Sequence, residues 1–426
     1  MVGVLAALAA GCGTDTAPPE PAEPSPQTRK RSPAATSTPQ PRQDAGALRE
    51  LVDRRVAALG AGDPRGYAAT ATGARRARDA RTARNARGMR LREAWIESLG
   101  AQQRGRRATL RVGLSYRLAG VRGRWRWLER ISASRTGRGW RVTAVRTRRP
   151  RPPWQIAPYT TLATPHFRVL VPAGVDPTAI GLKATLEEAY ALMRDRLAGS
   201  RLDRRYLVLI AQDGEAAREL MPDLRGVDQL TAVTDLTVRT AGAAQKVTDV
   251  VSLRLLVPWP GFAALDPEAR KRAIAHELTH AALAERTSGR TPAWLQEAIA
   301  LYVSGDQRAA QARAAIAPAD GDGGRTGLSL RGLSAPDAIG RLDAGRLSAA
   351  YAYSSAAGFY IAERFGERRL LALLDVFASD RLSGPAGGAL NEAAVRRILG
   401  VGLPRLERDL RRWVQAGGST SVPTGD

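Results

Sequence analysis

The sequence predicts an α+β protein in two parts: a small N-terminal unit of helices followed by an antiparallel sheet, then a larger unit that mixes strands with helices and ends helical. Three observations carry this reading. Apolar residues recur at helical spacing after residue 45 and switch to a period of two by residue 94. The run Arg148-Arg-Pro-Arg-Pro-Pro153 interrupts the pattern, its prolines stopping the sheet and its charges keeping a linker solvated. Beyond it, strand and helix runs alternate up to residue 256, and the chain after residue 305 is mainly helical. The units are expected at residues 45–150 and 154–417, with a disordered tail at 418–426.

Taken in order, residues 2–10 form a short apolar run that ends Leu8-Ala9-Ala10-Gly11-Cys12, too short to span a bilayer. The run resembles a bacterial lipoprotein signal, which implies cleavage before Cys12 and lipidation of that cysteine. Two features depart from that pattern: no Lys or Arg precedes the run, and Ala9 stands where Leu or Val is usual. An ordinary secretory signal is the alternative. Residues 13–44 are rich in Pro, Ser, Thr, Ala and Glu and cannot form a core, so a flexible tether is expected.

Leu48, Leu51, Val52, Val56 and Leu59 then mark a helix stopped by Gly60-Ala-Gly-Asp-Pro64, and an Ala/Arg run with Tyr67 predicts a second helix reaching residue 87. Runs at 94–98, 108–118, 124–131 and 139–145 alternate as strands of a half-buried sheet, and this unit loosely resembles the NTF2-like fold. Trp125, Trp127 and Trp140 are expected to pack within the sheet. In the larger unit, strands are expected at 164–172, 206–211, 231–240 and 247–256, and helices at 177–197 and after Gly214. His166, opening a strand, reads as structural. Helices are expected at 344–364, 368–377, 390–399 and 403–416, with a surface loop at 318–327.

The chemistry lies in Arg270-Lys-Arg-Ala-Ile-Ala-His276-Glu277-Leu278-Thr279-His280. Asp266 and Pro267 read as N-cap and first turn of a helix reaching about residue 285. On that helix His276 and His280 lie one turn apart on one face, able to grip one Zn²⁺, with Glu277 beside the water that such a metal would hold. Ile274, Leu278 and Ala281 form the apolar stripe, while the small Ala273 and Ala284 leave room for a substrate. A third ligand is offered by Glu297 in Thr291-Pro292-Ala293-Trp294-Leu295-Gln296-Glu297-Ala298-Ile299-Ala300, where Thr291 and Pro292 read as cap and first turn.

These two segments resemble the peptidase-MA-like gluzincin zinc metallopeptidases, whose pattern is His-Glu-x-x-His followed by Trp-Leu-x-Glu-Gly-x-Ala. The resemblance covers most of residues 160–415 and implies a zincin-like domain with a mixed upper lobe and a helical lower lobe around a cleft. It implies His276, His280 and Glu297 as zinc ligands, Glu277 as general base, and hydrolysis of a peptide or protein substrate. Ala298 stands where the family has Gly, which bears on close helix packing more than on ligation. The segment Ala350-Tyr351-Ala352-Tyr353-Ser354-Ser355 resembles the family's Tyr-x-x-Ser stretch. By that match Tyr351 is the better candidate for stabilising the transition state and Tyr353 the second, and their spacing lets at most one face the metal.

Composition narrows the alternatives. The net charge of +24 is nearly all arginine and favours anionic partners such as membrane lipid or wall polymers, whereas no motif of a nucleic-acid binder is present. Cys12 is the sole cysteine, which excludes an internal disulfide, a thiolate metal site and a cysteine nucleophile in the folded part. The expectation is a zinc metallopeptidase anchored at the extracytoplasmic face of the membrane. The competing reading is a scaffold or binding lipoprotein without turnover, and a carboxylate beside a water-bearing zinc argues against it.

Overall fold

The computed structural model describes residues 41–197, 202–224, 230–316, 328–379 and 382–418, so the expectations for Cys12, residues 13–40 of the tether, the 318–327 loop and the last eight residues fall outside them, while residues 41–44, expected in the tether, belong to the first helix, with Asp44 buried. Within these residues the chain is α+β, as its patterning predicts. No helix among them is long and apolar enough to cross a membrane.

Helix α1 (Pro41–Gly60) lays Leu48, Leu51, Val52 and Val56 against the first sheet, and α2 (Pro64–Ala69) and α3 (Arg75–Gly88) follow. The single helix expected up to residue 87 is therefore broken. At the break the Thr70 hydroxyl donates to the Tyr67 carbonyl oxygen at 2.6 Å, and Ala71 leaves the helix to bridge Val142 in parallel. Asp79 on α3 is fully buried and pairs with Arg55 of α1 and with Arg75, so α3, which has no large apolar side chain, is tied to α1 by charge. Strands β1 (Leu91–Arg104), β2 (Arg107–Leu118), β3 (Trp125–Thr136) and β4 (Gly139–Thr147) form an antiparallel meander in sequence order.

The 148–153 segment is less of a solvated linker than its composition suggests. Arg149 and Arg151 both pair with Glu219, and Pro152, Pro153 and Trp154 are buried. Trp154 wedges edge-on against Tyr116 and Trp127, with ring centroids 4.7 and 5.4 Å apart. Trp125, Trp127 and Trp140 are buried in the same apolar layer. That layer continues into Leu170, Leu207, Leu209 and Leu256 of the second sheet, so the two sheets share one core.

The second sheet runs β5-β6-β7-β9-β8, from β5 (Tyr159–Ala163), β6 (Phe167–Pro172), β7 (Tyr206–Ala211), β8 (Val233–Ala241) and β9 (Lys246–Pro258). Strands β6, β7 and β9 are parallel, and β5 and β8 are antiparallel edges. β6 and β7 are buried at every residue because both faces are covered, which is why they read as unbroken apolar runs. One face meets the N-terminal unit, and the other meets helices α4 (Leu182–Arg196) and, beyond α5 (Gly214–Leu220) and α6 (Trp259–Ala263), α7 (Pro267–Leu283). The helix expected from residue 177 starts only at Leu182, after a turn in which Thr178 is hydrogen-bonded to Asp176.

The rest is helical: α8 (Ala293–Ser304), α9 (Ala309–Ile316), α10 (Ala344–Phe365), α11 (Glu367–Phe377), α12 (Gly388–Leu399) and α13 (Leu403–Gln415). Helices α8 and α10 approach closely. A Cβ added at Gly358 of α10 would lie 3.0 Å from the carbonyl carbon of Ala298 and collide with its oxygen, so the glycine that permits this contact is on the facing helix, opposite Ala298. The substitution Gly358→Ala should therefore push α8 outward at a cost of about 1–3 kcal/mol and lower the thermal midpoint. An unchanged midpoint would show that the contact is slack.

Candidate metal centre

Helix α7 begins as its sequence predicts, with the Asp266 side chain accepting from the Ala269 backbone N–H at 2.8 Å and Pro267 in the first turn. Ile274, Leu278 and Ala281 face the core, and His276 and His280 come out on the opposite side, one turn apart. Helix α8 starts differently from expectation. Pro292 is its N-cap, and the Thr291 hydroxyl accepts from the Ser288 backbone N–H at 3.0 Å instead of capping the helix. Glu297 nevertheless projects from the second turn of α8 toward α7. At the far end Gly305, at φ 68°, closes the helix and turns the chain so that Asp306 and Arg308 enter the same cleft as His276.

His276, His280 and Glu297 are all buried and form a group that could hold a metal ion. The two Nε2 atoms are 3.0 Å apart, and Glu297 Oε2 lies 3.2 Å from that of His276 and 3.6 Å from that of His280. A tetrahedral ion with ligands at about 2.0–2.1 Å would separate its ligand atoms by about 3.3 Å, so the three spacings fit a metal without rearrangement. Burial pushes the Glu297 carboxyl up, but the neighbouring imidazoles outweigh it and hold the group down at about 2. Burial lowers the His280 pKa and the Glu297 charge more than reverses this, so the net direction is upward. The first effect keeps Glu297 ionised, as a metal ligand must be, whereas the second favours the protonated imidazole, so a cation entering here would displace a proton from His280.

Glu277 is fully buried and does not join the trio. The Thr234 hydroxyl of β8 donates to its Oε2 at 2.7 Å and lies 2.9 Å from its backbone carbonyl oxygen. Oε1 has no hydrogen-bond partner among the described residues, so one carboxylate oxygen is fixed and the other is left to accept. Burial raises the pKa of Glu277, against the opposing pull of the two histidines. Thr234 was not singled out in the sequence. It sits in a β-branched run where threonine is an ordinary strand former, and only the fold brings it to a residue 43 positions away.

The two tyrosines part company as their spacing requires. The Tyr351 ring centroid is 6.5 Å from that of His276, whereas Tyr353 turns toward α13 and carries the Arg411 guanidinium 5.6 Å above its ring. His166 is remote in role, stacking on Tyr190 at 3.8 Å and hydrogen-bonding to Glu187 at 2.6 Å. A cleft of about 200 Å³ opens beside His276, between Ala269, Arg272 and Ala273 of α7 and Asp306, Arg308 and Ser348. The small Ala273 lines it, and Ala284 lines a minor recess on the far side of His280.

Comparison with known proteins adds little to this geometry. No protein-family profile matches the chain, and no curated protein matches it. Among solved structures, a variant of Rv3472, a function unknown protein from Mycobacterium tuberculosis, aligns at 20% identity over 26% of this chain and 75% of that one, with a TM-score of 0.24.

Proposed function

We propose that the chain is a zinc metallopeptidase. The observation that carries this reading is the convergence of three buried lone-pair donors, His276, His280 and Glu297, beside a buried carboxylate, Glu277, that is not part of the set. Two imidazoles and a carboxylate with no thiolate suit zinc in its catalytic form, which takes three protein ligands and keeps a fourth position open. Bound zinc would supply Lewis acidity and bring the pKa of a water in that position to about 7.

The chain's own residues do the remaining work. Thr234 fixes one oxygen of Glu277, leaving Oε1 to take the proton of the attacking water and hand it to the departing nitrogen. Burial favours this, because a carboxylate with a raised pKa is a stronger base at neutral pH. Tyr351 approaches His276 from α10, with ring centroids 6.5 Å apart, and its phenol is the group assigned here to donate to the oxygen that gains charge during attack. Ala273 keeps the floor of the cleft low enough for a peptide.

A single series tests the assignment: zinc content, and turnover of a mixed peptide library, for the wild type and three variants. The wild type should hold about one zinc per chain and His280→Ala should lose it. Glu277→Gln should keep the metal and lose about 100-fold to 10,000-fold in turnover. Tyr351→Phe should keep the metal and lower kcat by about 10-fold to 1,000-fold with little change in KM. Undiminished zinc in His280→Ala, or full turnover in Glu277→Gln, would overturn the reading.

The place of action follows from the N-terminus. We infer that Cys12 becomes the lipidated first residue of a protein held at the extracytoplasmic membrane face. Cys12→Ala should then move the protein out of the membrane fraction, and an unlipidated wild-type N-terminus by mass spectrometry would contradict this.

A further inference from the structure

Helix α7 carries three consecutive cations ahead of the metal-site histidines, and two of them are occupied by the fold. Arg270 donates through Nη1 to the Ile180 carbonyl oxygen at 3.1 Å, and Lys271 Nζ pairs with Glu268 at 2.7 Å. Arg272, half-buried, lines the cleft together with His276, and among the described residues no carboxylate pairs with it. The other guanidinium on the cleft wall is already matched. Arg308 binds Asp306 Oδ2 through Nε at 3.0 Å and Nη2 at 2.6 Å, and lies 5.5 Å above the Tyr351 ring. Among the described residues, the wall of the cleft thus presents one positive charge, that of Arg272, with no carboxylate paired to it.

A guanidinium partly removed from water without a counter-ion is costly, and a carboxylate recovers that cost through two parallel N–H···O bonds. Arg272 precedes His276 by four residues, a rise of about 6 Å along the helix. Both residues line the same cleft, so one bound ligand can reach both.

We propose that Arg272 forms a carboxylate subsite in this cleft, giving the chain a preference for ligands with an acidic side chain or a free C-terminus near the point of cleavage. The proposal rests on the peptidase reading of the same cleft, and the experiment separates the two. The probes are one fluorescent peptide scaffold in matched forms: Glu or Gln at each position, and a free or amidated C-terminus. Each is measured twice, as kcat/KM with the zinc-loaded wild type and as binding anisotropy with zinc-loaded Glu277→Gln, which does not depend on turnover.

At least one acidic form should bind about 10-fold or more tightly than its neutral match, and the same form should be the preferred substrate. Whether Glu or the free C-terminus carries the effect identifies the source of the carboxylate. Adding Arg272→Gln should bring the acidic-to-neutral ratio to about one, and Arg272→Lys should restore part of it, with zinc content confirming that each variant is folded. An acidic preference undiminished in Arg272→Gln, or none in the parent, would overturn the proposal. Acidic preference in binding without turnover would sink the peptidase reading and leave this subsite standing. Turnover without acidic preference would do the reverse.

Discussion

Everything in the larger unit is arranged around the burial of one carboxylate between two imidazoles. A lone ionised carboxylate in a protein interior costs several kcal/mol or neutralises itself by taking a proton. Glu297 does neither, because His276 and His280 hold their Nε2 atoms within 3.2 and 3.6 Å of it and keep it ionised. The price of that arrangement is geometric. Helix α7 must be fixed so that two histidines leave it on one side, and α8 must come close enough to bring a glutamate across. The first requirement is met by the five-stranded sheet, which buries the apolar stripe of α7. The second is met by Gly358, whose missing side chain lets α10 press on the backbone of α8 just beside Glu297.

Charge in the cleft is handled with the same economy in a chain that carries +24 overall. Asp306 neutralises Arg308 beside Tyr351, and Glu268 and the Ile180 carbonyl engage Lys271 and Arg270. Glu277 stands apart from the His276, His280 and Glu297 trio, with Thr234 holding one of its oxygens from the edge strand of the sheet. Two buried carboxylates thus shift in opposite directions: burial raises the pKa of Glu277 while the imidazoles hold Glu297 low.

Much of this was legible in the sequence, wherever the signal was local. The start of α7 could be read because cap, proline and apolar spacing all fall within a few residues. The histidine pair and Glu297 were visible because a helix converts spacing into direction. What escaped depended on contacts between distant segments. Thr234 became significant only through its pairing with Glu277, and Gly358 only through its contact with Ala298. The resemblance already favoured Tyr351 over Tyr353, but which ring lies near His276 depends on the orientation of α10 about its axis. The linker reading of residues 148–153 missed Trp154, whose ring joins the cores of the two sheets. Helix α3 was expected as the continuation of a longer helix because the bridge from Ala71 to Val142 has no local signature.

The central claim is that the buried trio is a preformed zinc site with one position open. Zinc X-ray absorption on the full chain carrying one equivalent of metal tests it most directly. The account predicts a four-coordinate first shell of two imidazole nitrogens and two oxygens at about 2.0–2.1 Å, with no sulfur. A six-coordinate shell of oxygens alone, without imidazole scattering, would place the metal elsewhere and contradict it.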